Sequence, residues 1–289
     1  MRRSPDTRLC VHWLLAAALV ALAGCASTGT MLPSIPLADW PGRLQTLLPA
    51  DVLLLGEQHD APDHQRLQRE TVVWLAARGQ LTAVVMEMAE RGHSTQGLPH
   101  DASEAQAQAA LQWDNTAWPW QAYGPVVMAA VGAGVPVLGG NLPRARMRAT
   151  MANPAWDQHL PAPALAQQYQ ALRDGHCGLL PESQIAPMAR IQIARDASMA
   201  QTALDAVRPG QTVLLVAGGG HVLRHLGVPT HWPANLVSKV ALAQVEHASA
   251  AIKSGADADA VINTPALPPR DVCAELREQW RPAAPGQKV

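Results

Sequence analysis

Carboxylates and imidazoles follow three separate apolar runs of this sequence, at the points where those runs end. Glu57 and His59 come after the first run, Glu87 follows the second, and His221 follows a run that ends in three glycines. Neighbouring carboxylates shift one another's pKa, so one can act as an acid while another stays ionised. An imidazole beside them can take a proton from water or bind a metal ion. These residue types predict a site for proton transfer.

These three runs and two others are typical of strands buried on both faces, because they are short, apolar and without alternation. They cover residues 52–55, 83–86, 135–138, 213–216 and 236–240. Helical patterns lie between them, over 63–78, 123–132 and 187–207. Alternating strands and helices predict an α/β fold, with a mostly parallel sheet and helices on both faces.

The carboxyl ends of parallel strands meet at one edge of a sheet, where ligands bind. We therefore expect the four residues named above to lie around one cleft. Arg195 and Asp196, in the helix predicted over 187–207, are expected on its wall as a buried pair that orients His221 or Glu57, with an exposed ion pair as the alternative.

Two stretches, 90–121 and 143–187, break the alternation, and the second is the better candidate for a separate helical unit. A small helical insertion is expected over 143–187, and the end of the chain, rich in proline and charge, is expected to fray. The predicted organisation is a signal peptide over 1–24, a flexible tether over 25–38, an α/β core formed by 39–142 and 188–265, the helical insertion over 143–187 and a C-terminal tail over 266–289.

The beginning of the chain has the layout of a bacterial export signal. Arginines at positions 2, 3 and 8 precede an apolar run over 11–22, which leads into Leu22-Ala23-Gly24-Cys25. This ending is similar to a lipobox, in which the cysteine is lipidated and becomes the first mature residue. The run is too short for a lasting transmembrane helix. We expect a protein anchored through Cys25 to the membrane of the cell envelope, with Ala26 favouring the outer membrane.

Composition and the remaining cysteines limit the functions further. A formal charge of −1 gives no basic face for nucleic acid. Cys177 and Cys273 are expected to be unpaired thiols, although an exported chain could pair them. There is no CxxC, HExxH or GxSxG motif, so a metal ion is only a minor alternative and a serine nucleophile is not indicated.

At these residues the chain resembles the ChaN family of bacterial haem-binding lipoproteins, which is grouped with the TraB and Tiki proteins and the erythromycin esterases. The matching segments are 55–60, 85–88, 113–126, 139–144, 174–178, 191–196 and 217–229. The resemblance implies a parallel sheet with flanking helices and a helical cluster. It also implies haem binding linked to iron acquisition, with tyrosine, histidine and arginine contacts near a dimer interface.

For ferric haem the sequence offers two tyrosines as axial ligands, and a phenolate favours ferric iron. Tyr169 is preferred because Arg173, one helical turn later, could meet a propionate, with His176 close behind. Tyr123 is the alternative. A homodimer that sandwiches haem is expected, with an outer-membrane receptor as a further partner.

A second function remains open beside haem binding. The wider group uses glutamate and histidine for hydrolysis, which corresponds here to Glu57, His59, Glu87 and His221. An envelope hydrolase is therefore the alternative. Among the other histidines, His64 is expected on the exposed face of its helix. His225 and His231 are expected to face solvent, because they lie in a loop rich in proline and glycine.

Overall fold

The computed structural model describes residues 34–246 and 257–280, which contain one parallel sheet. The strands are β1 Ser34–Pro36, β2 Val52–Glu57, β3 Leu81–Glu90, β4 Val137–Asn141, β5 Thr212–Gly218, β6 Ser238–Val245 and β7 Ala260–Thr264. Their order across the sheet is β1-β7-β6-β2-β5-β3-β4, and each neighbouring pair runs parallel. The predicted fold class is confirmed.

Helices cover both faces of this sheet. They are α1 Trp40–Leu47, α2 Pro62–Ala76, α3 Glu104–Leu111, α4 Trp120–Gly132, α5 Arg144–Met151, α6 Ala162–Gly175, α7 Glu182–Ala206 and α8 Val272–Gln279. One face packs against α1, α2 and α4, and the other against the second half of α7. In the described part of the chain, no helix has the length and apolar character needed to span a bilayer.

The central strands form where the sequence is continuously apolar. In β2, Leu53 and Leu54 are fully buried, because helices cover both faces of the strand. Leu54 lies between Leu215 of β5 and Val240 of β6. β1 and β7 are short strands at one side of the sheet. Neither was predicted, because no apolar run of the sequence covers them. β1 lies in the stretch for which the sequence predicts a flexible tether.

The segment predicted as a helical insertion contains α5, a 3-10 turn over Pro154–Gln158, α6 and the start of α7. It packs on the first half of α7 through two small apolar clusters. Arg190 of α7 also donates to both carboxylate oxygens of Asp157, at 2.9 and 2.7 Å. These contacts hold the segment against the core.

Cys177 and Cys273 form a disulfide, so the expectation of two unpaired thiols is wrong. The bond joins the turn between α6 and α7 to α8, across a sequence separation of 96 residues. Their proximity is created by the fold, which is why spacing in the sequence did not reveal it. α8 lies in the tail that was expected to fray, and Asp271 caps it by accepting from the Ala274 backbone N–H at 2.8 Å. Cys25 lies outside the described residues.

Candidate functional site

Three neighbouring strands bring acidic and imidazole side chains to one edge of the sheet. β2 ends at Glu57, β3 carries Glu87 near its end, and His221 lies in the turn that follows β5. β5 pairs with both β2 and β3, so these residues are neighbours. This is the edge at which ligands bind in parallel sheets.

Glu57 is the fully buried centre of one half of the site. Its Oε1 accepts from the hydroxyl of Tyr123 at 2.6 Å and lies 2.7 Å from Nδ1 of His59. Its Oε2 accepts from Gln65 at 2.9 Å and also from Gln68. Four neighbours supplied by α2, α4 and the turn after β2 thus compensate for the burial of this carboxyl group.

Glu87 is the centre of the other half and is also buried. Its Oε2 accepts from the backbone N–H of Gly218 at 2.8 Å, and its Oε1 lies 3.4 Å from Nε2 of His221. The second ring nitrogen of His221 lies 2.6 Å from Oδ1 of Asp196, a buried residue of α7. The imidazole is therefore held between two carboxyl groups.

The two halves meet at His59, whose Nε2 lies 3.9 Å from Oε2 of Glu87. This approach depends on Gly218, because a Cβ at that position would lie 2.9 Å from Nε2 of His59. The His59 side chain is 40% exposed, whereas the side chains of Glu57 and Glu87 are buried. His59 is therefore the point at which this buried network reaches solvent.

The charges of the network reinforce one another. Burial lowers the pKa of His221, but the charges of Glu87 and Asp196 outweigh it and raise the pKa to about 10. Burial likewise opposes ionisation of Glu87, yet His221 and the hydrogen bonds hold its pKa well below the usual range. Burial also lowers the pKa of His59, and the contacts with Glu57 and Glu87 reverse this into a net rise. The protonated form of His221 therefore bridges two carboxyl groups at neutral pH.

A cleft of about 700 Å³ opens beside His59. It lies between the first half of α2 and the start of α4, and most of its lining is apolar. Its lining residues are His59, Asp60, Pro62, Gln65, Arg66, Arg69, Ala117, Trp118, Pro119, Gln121, Ala122, Tyr123 and Pro125. The ring of Trp118 meets His59 edge-on, with centroids 4.9 Å apart.

The family model for haem-binding uptake proteins of the Tiki superfamily, ChaN, matches residues 43–231. The chain belongs to this family. The matched range includes the strand-end site, the cleft and the helical segment after β4. The comparison with curated proteins found no match.

Among solved structures, this chain is similar to the one described as "Cofacial heme binding to ChaN of Campylobacter jejuni". The two are 23% identical with a TM-score of 0.59, over 78% of this chain and 91% of that one. Weaker likenesses are the type III effector HopBA1, with 15% identity over 84% of this chain and 100% of that one, and TM-score 0.44, and a Bacillus cereus protein, with 13% identity over 75% and 72%, and TM-score 0.38.

The predicted wall residues Arg195 and Asp196 point to different places. Asp196 contacts His221, as described above, whereas Arg195 lines a separate small pocket beside β4. Among the described residues, no group of three or more His, Cys, Asp or Glu is arranged to hold a metal ion.

The residues predicted to contact haem in the helical segment lie apart from the cleft. Tyr169 packs against Leu172 and its neighbours, and Arg173 is held by both oxygens of Glu182. Nδ1 of His176 lies 2.8 Å from the carbonyl oxygen of Leu172, at the end of α6. Tyr123 does line the cleft. Burial and the charge of Glu57 raise the pKa of its hydroxyl far above the usual value, so it keeps its proton.

The expectation of an exposed His64 is wrong. His64 is fully buried, with Nδ1 accepting from the Gln58 backbone N–H at 2.8 Å and Nε2 lying 3.0 Å from the Thr264 hydroxyl. Its ring fills a gap between α2 and β7 that the helical pattern alone could not show. Of the two loop histidines, His225 is 40% exposed. His231 is partly buried and stacks on His159 with ring centroids 3.8 Å apart.

Sequence reasoning missed three residues that shape the site. Gln65 and Gln68 both bind Glu57, and their spacing of three residues on a helix was a signal that they share a face. Trp118 lies in a loop between α3 and α4, where no periodic pattern could assign it a position.

Proposed function

We propose that this protein is a haem-binding lipoprotein of the bacterial cell envelope that takes part in haem or iron uptake. The observation that carries the proposal is the apolar cleft beside His59, because it joins a possible iron ligand to a slot of suitable size. Family membership supports the same cargo, since the family model describes haem-binding uptake proteins.

The cleft suits the faces of a porphyrin. Trp118, Pro119, Ala122 and Pro125 give it apolar walls, and a haem requires such walls because its ring is flat and apolar. Its volume of about 700 Å³ falls in the range of about 300–1,000 Å³ that is usual for sites of small molecules and cofactors.

His59 is the candidate axial ligand for ferric haem. Its Nδ1 is hydrogen-bonded to Glu57, so Nε2 is the nitrogen that can bind iron, once the ring turns it from Glu87, 3.9 Å away, toward the cleft. A carboxylate behind a histidine orients the ring and raises its basicity as a ligand. Tyr123 is less suitable, because it donates its proton to Glu57 and a phenolate there would face a buried carboxylate. We therefore place the ligand on His59 rather than on the tyrosines that the sequence favours.

Arg66 and Arg69 supply positive charge at the rim of the cleft for the haem propionates. The Arg66 side chain is 53% exposed and forms two ion pairs. Its Nη2 lies 3.0 Å from Oδ1 of Asp63, and its Nε lies 3.9 Å from Oε1 of Glu70. Arg69 is exposed and forms no ion pair within residues 34–246 and 257–280. Arg69 is therefore the better partner, because binding a propionate breaks no existing contact.

The export signal before Cys25 supports a lipid-anchored protein at the outer membrane. The disulfide between Cys177 and Cys273 agrees with an oxidising compartment, since such bonds are rare in the cytosol. A second copy of this chain bound over the cleft would shield the other face of the haem. We therefore propose a dimer linked by haem.

Titration of the purified protein with haemin, followed by absorption spectroscopy, tests the proposal. We expect saturation at one haem per two chains and a shifted Soret band in the wild type. His59→Ala should lose the ligand-dependent bands, while Tyr169→Phe, the control, should keep them. Because iron competes with a proton for Nε2 and the pKa of His59 is raised, affinity should fall as the pH is lowered. A wild-type protein that leaves the haemin spectrum unchanged contradicts the proposal.

Hydrolysis is the second candidate, favoured by the buried network that reaches solvent at His59. A histidine backed by Glu57 could accept a proton from water, as general bases do. Activity toward activated esters that is lost in Glu57→Gln, with no haemin binding by the wild type, would favour this candidate over the first.

A further inference from the structure

A second pocket, of about 260 Å³, lies on the far side of Trp118 from the haem cleft. Ala117 and Trp118 line both spaces and form the boundary between them. We call this space the Arg195 pocket. It is lined by Met88, Ala89, Glu90, His93, Gln112, Asp114, Ala117, Trp118, Asn141, Leu142, Arg144, Met147 and Arg195. It is too small for a haem and lies just below the range of about 300–1,000 Å³ for larger ligands.

Arg195 presents an uncompensated positive charge to this pocket. It is partly buried, and its Nε is buried without a hydrogen-bond partner. No residue in the described ranges accepts from its guanidinium or forms an ion pair with it. Its charge acts only at longer range: burial raises the pKa of Asp196 to about 6, and the charge of Arg195 partly opposes this rise. An arginine in this state is suited to a carboxylate, which can accept from two of its N–H groups at once.

Asn141 adds a hydrogen-bond acceptor to the same pocket. It is 9% exposed, and its Nδ2 donates to the carbonyl oxygen of Glu87 at 2.8 Å. Its Oδ1 is buried and has no donor among the residues that the structure describes. A buried acceptor without a donor is unfavourable, so a ligand that brings an N–H group would be stabilised here.

The remaining lining sets the net charge and the apolar part of the ligand. Arg144 forms an ion pair with Asp114, and its Nε lies 3.9 Å from Oε1 of Glu90. The two arginines of the lining, Arg144 and Arg195, balance its two carboxylates and give a formal charge of zero. A neutral lining of this kind suits a zwitterion. Met88, Leu142 and Met147 provide an apolar wall.

We propose that the Arg195 pocket binds a small α-amino acid with an aliphatic side chain. The carboxylate is held by Arg195, the ammonium group donates to Oδ1 of Asn141, and the side chain lies against the methionines. The site is independent of the haem cleft, so it stands whether or not haem binds.

Isothermal titration calorimetry of the wild-type protein with L-leucine tests this proposal. We expect one site per chain. Leucinamide lacks the carboxylate and 4-methylpentanoate lacks the ammonium group, so each should bind at least about tenfold more weakly, which corresponds to about 1.4 kcal/mol.

Arg195→Gln should weaken L-leucine binding to the same degree, while Arg146→Gln should bind like the wild type. Arg146 is the matched control because it is exposed on α5 and does not line the pocket. A wild type that binds no L-leucine at millimolar concentration overturns the proposal, and so does leucinamide binding as tightly as L-leucine. Unchanged binding by Arg195→Gln also overturns it. If Arg195→Gln does not fold, the two analogues decide with the wild type alone.

Discussion

Removing the disulfide between Cys177 and Cys273 should lower the stability of this protein by a measurable amount. The two cysteines are 96 residues apart, so the bond closes a long loop in the unfolded chain. In the chain-entropy model, a loop of this length contributes about 4.7 kcal/mol at 25 °C. This value is an upper bound here, because no residue of α8 is fully buried. Without the bond, α8 can detach while the core stays folded, and the native state then regains part of the entropy.

We therefore expect the double variant Cys177→Ser, Cys273→Ser to lose about 2–4 kcal/mol of unfolding free energy. A loss of about 3 kcal/mol corresponds to a fall in Tm of about 6–12 °C, at about 2–4 °C per kcal/mol for a domain of this size class. Differential scanning calorimetry of the wild type, with and without reductant, and of the variant measures the change. Limited proteolysis followed by mass spectrometry reports whether α8 has detached.

The wild type in reductant should behave like the double variant, and the double variant should not respond to reductant. The reasoning is refuted if the variant melts at the wild-type temperature while α8 stays resistant to protease. That result would mean that contacts of α8 other than the disulfide hold it in place.

Three further predictions concern the strand-end site. Tyr123→Phe removes the hydroxyl that donates to buried Glu57, and should cost about 1–3 kcal/mol of stability in chemical denaturation, as expected when a buried acceptor loses its donor; a loss below about 0.5 kcal/mol would mean that this hydrogen bond contributes little. Gly218→Ala places a Cβ 2.9 Å from Nε2 of His59, so the ring must move; the NMR chemical shifts of His59 should change, and an unchanged spectrum would show that the contact is absent. The pKa of His221 is raised from 6.5 to about 10, so its stabilising effect is complete below about pH 6.5 and is lost as the pH rises toward 10. The difference in unfolding free energy between the wild type and His221→Gln should shrink across that interval, and a constant difference would mean that His221 does not titrate there.

The strand-end residues could be predicted because a simple topological rule governs them. Each of Glu57, Glu87 and His221 follows an apolar run, and parallel strands share one carboxyl edge. The rule needs the strands and their direction but not their order. It therefore gave the shared edge without showing that β5 lies between β2 and β3.

Contacts between distant segments were beyond the reach of the same reasoning. The disulfide, the buried position of His64 against Thr264, and the distance of Tyr169 from the cleft all depend on how helices pack on the sheet. A helical pattern states which face of a helix is apolar, but it does not state which neighbour covers a polar residue. His64 was therefore placed in solvent, although two hydrogen bonds make its burial favourable.

The position of His59 connects the two proposals for haem and for hydrolysis to one physical feature. Its Nδ1 is tied to Glu57, its Nε2 lies near Glu87, and 40% of its side chain is exposed at the cleft. Carboxylates behind an imidazole make it both a stronger metal ligand and a stronger base. What separates the two functions is therefore the space in front of His59. That space has mostly apolar walls, including Trp118, Pro119 and Pro125, which would accept a porphyrin face, while Arg66 and Arg69 also line it and would meet the propionates. The walls of the cleft, more than the network behind it, favour haem.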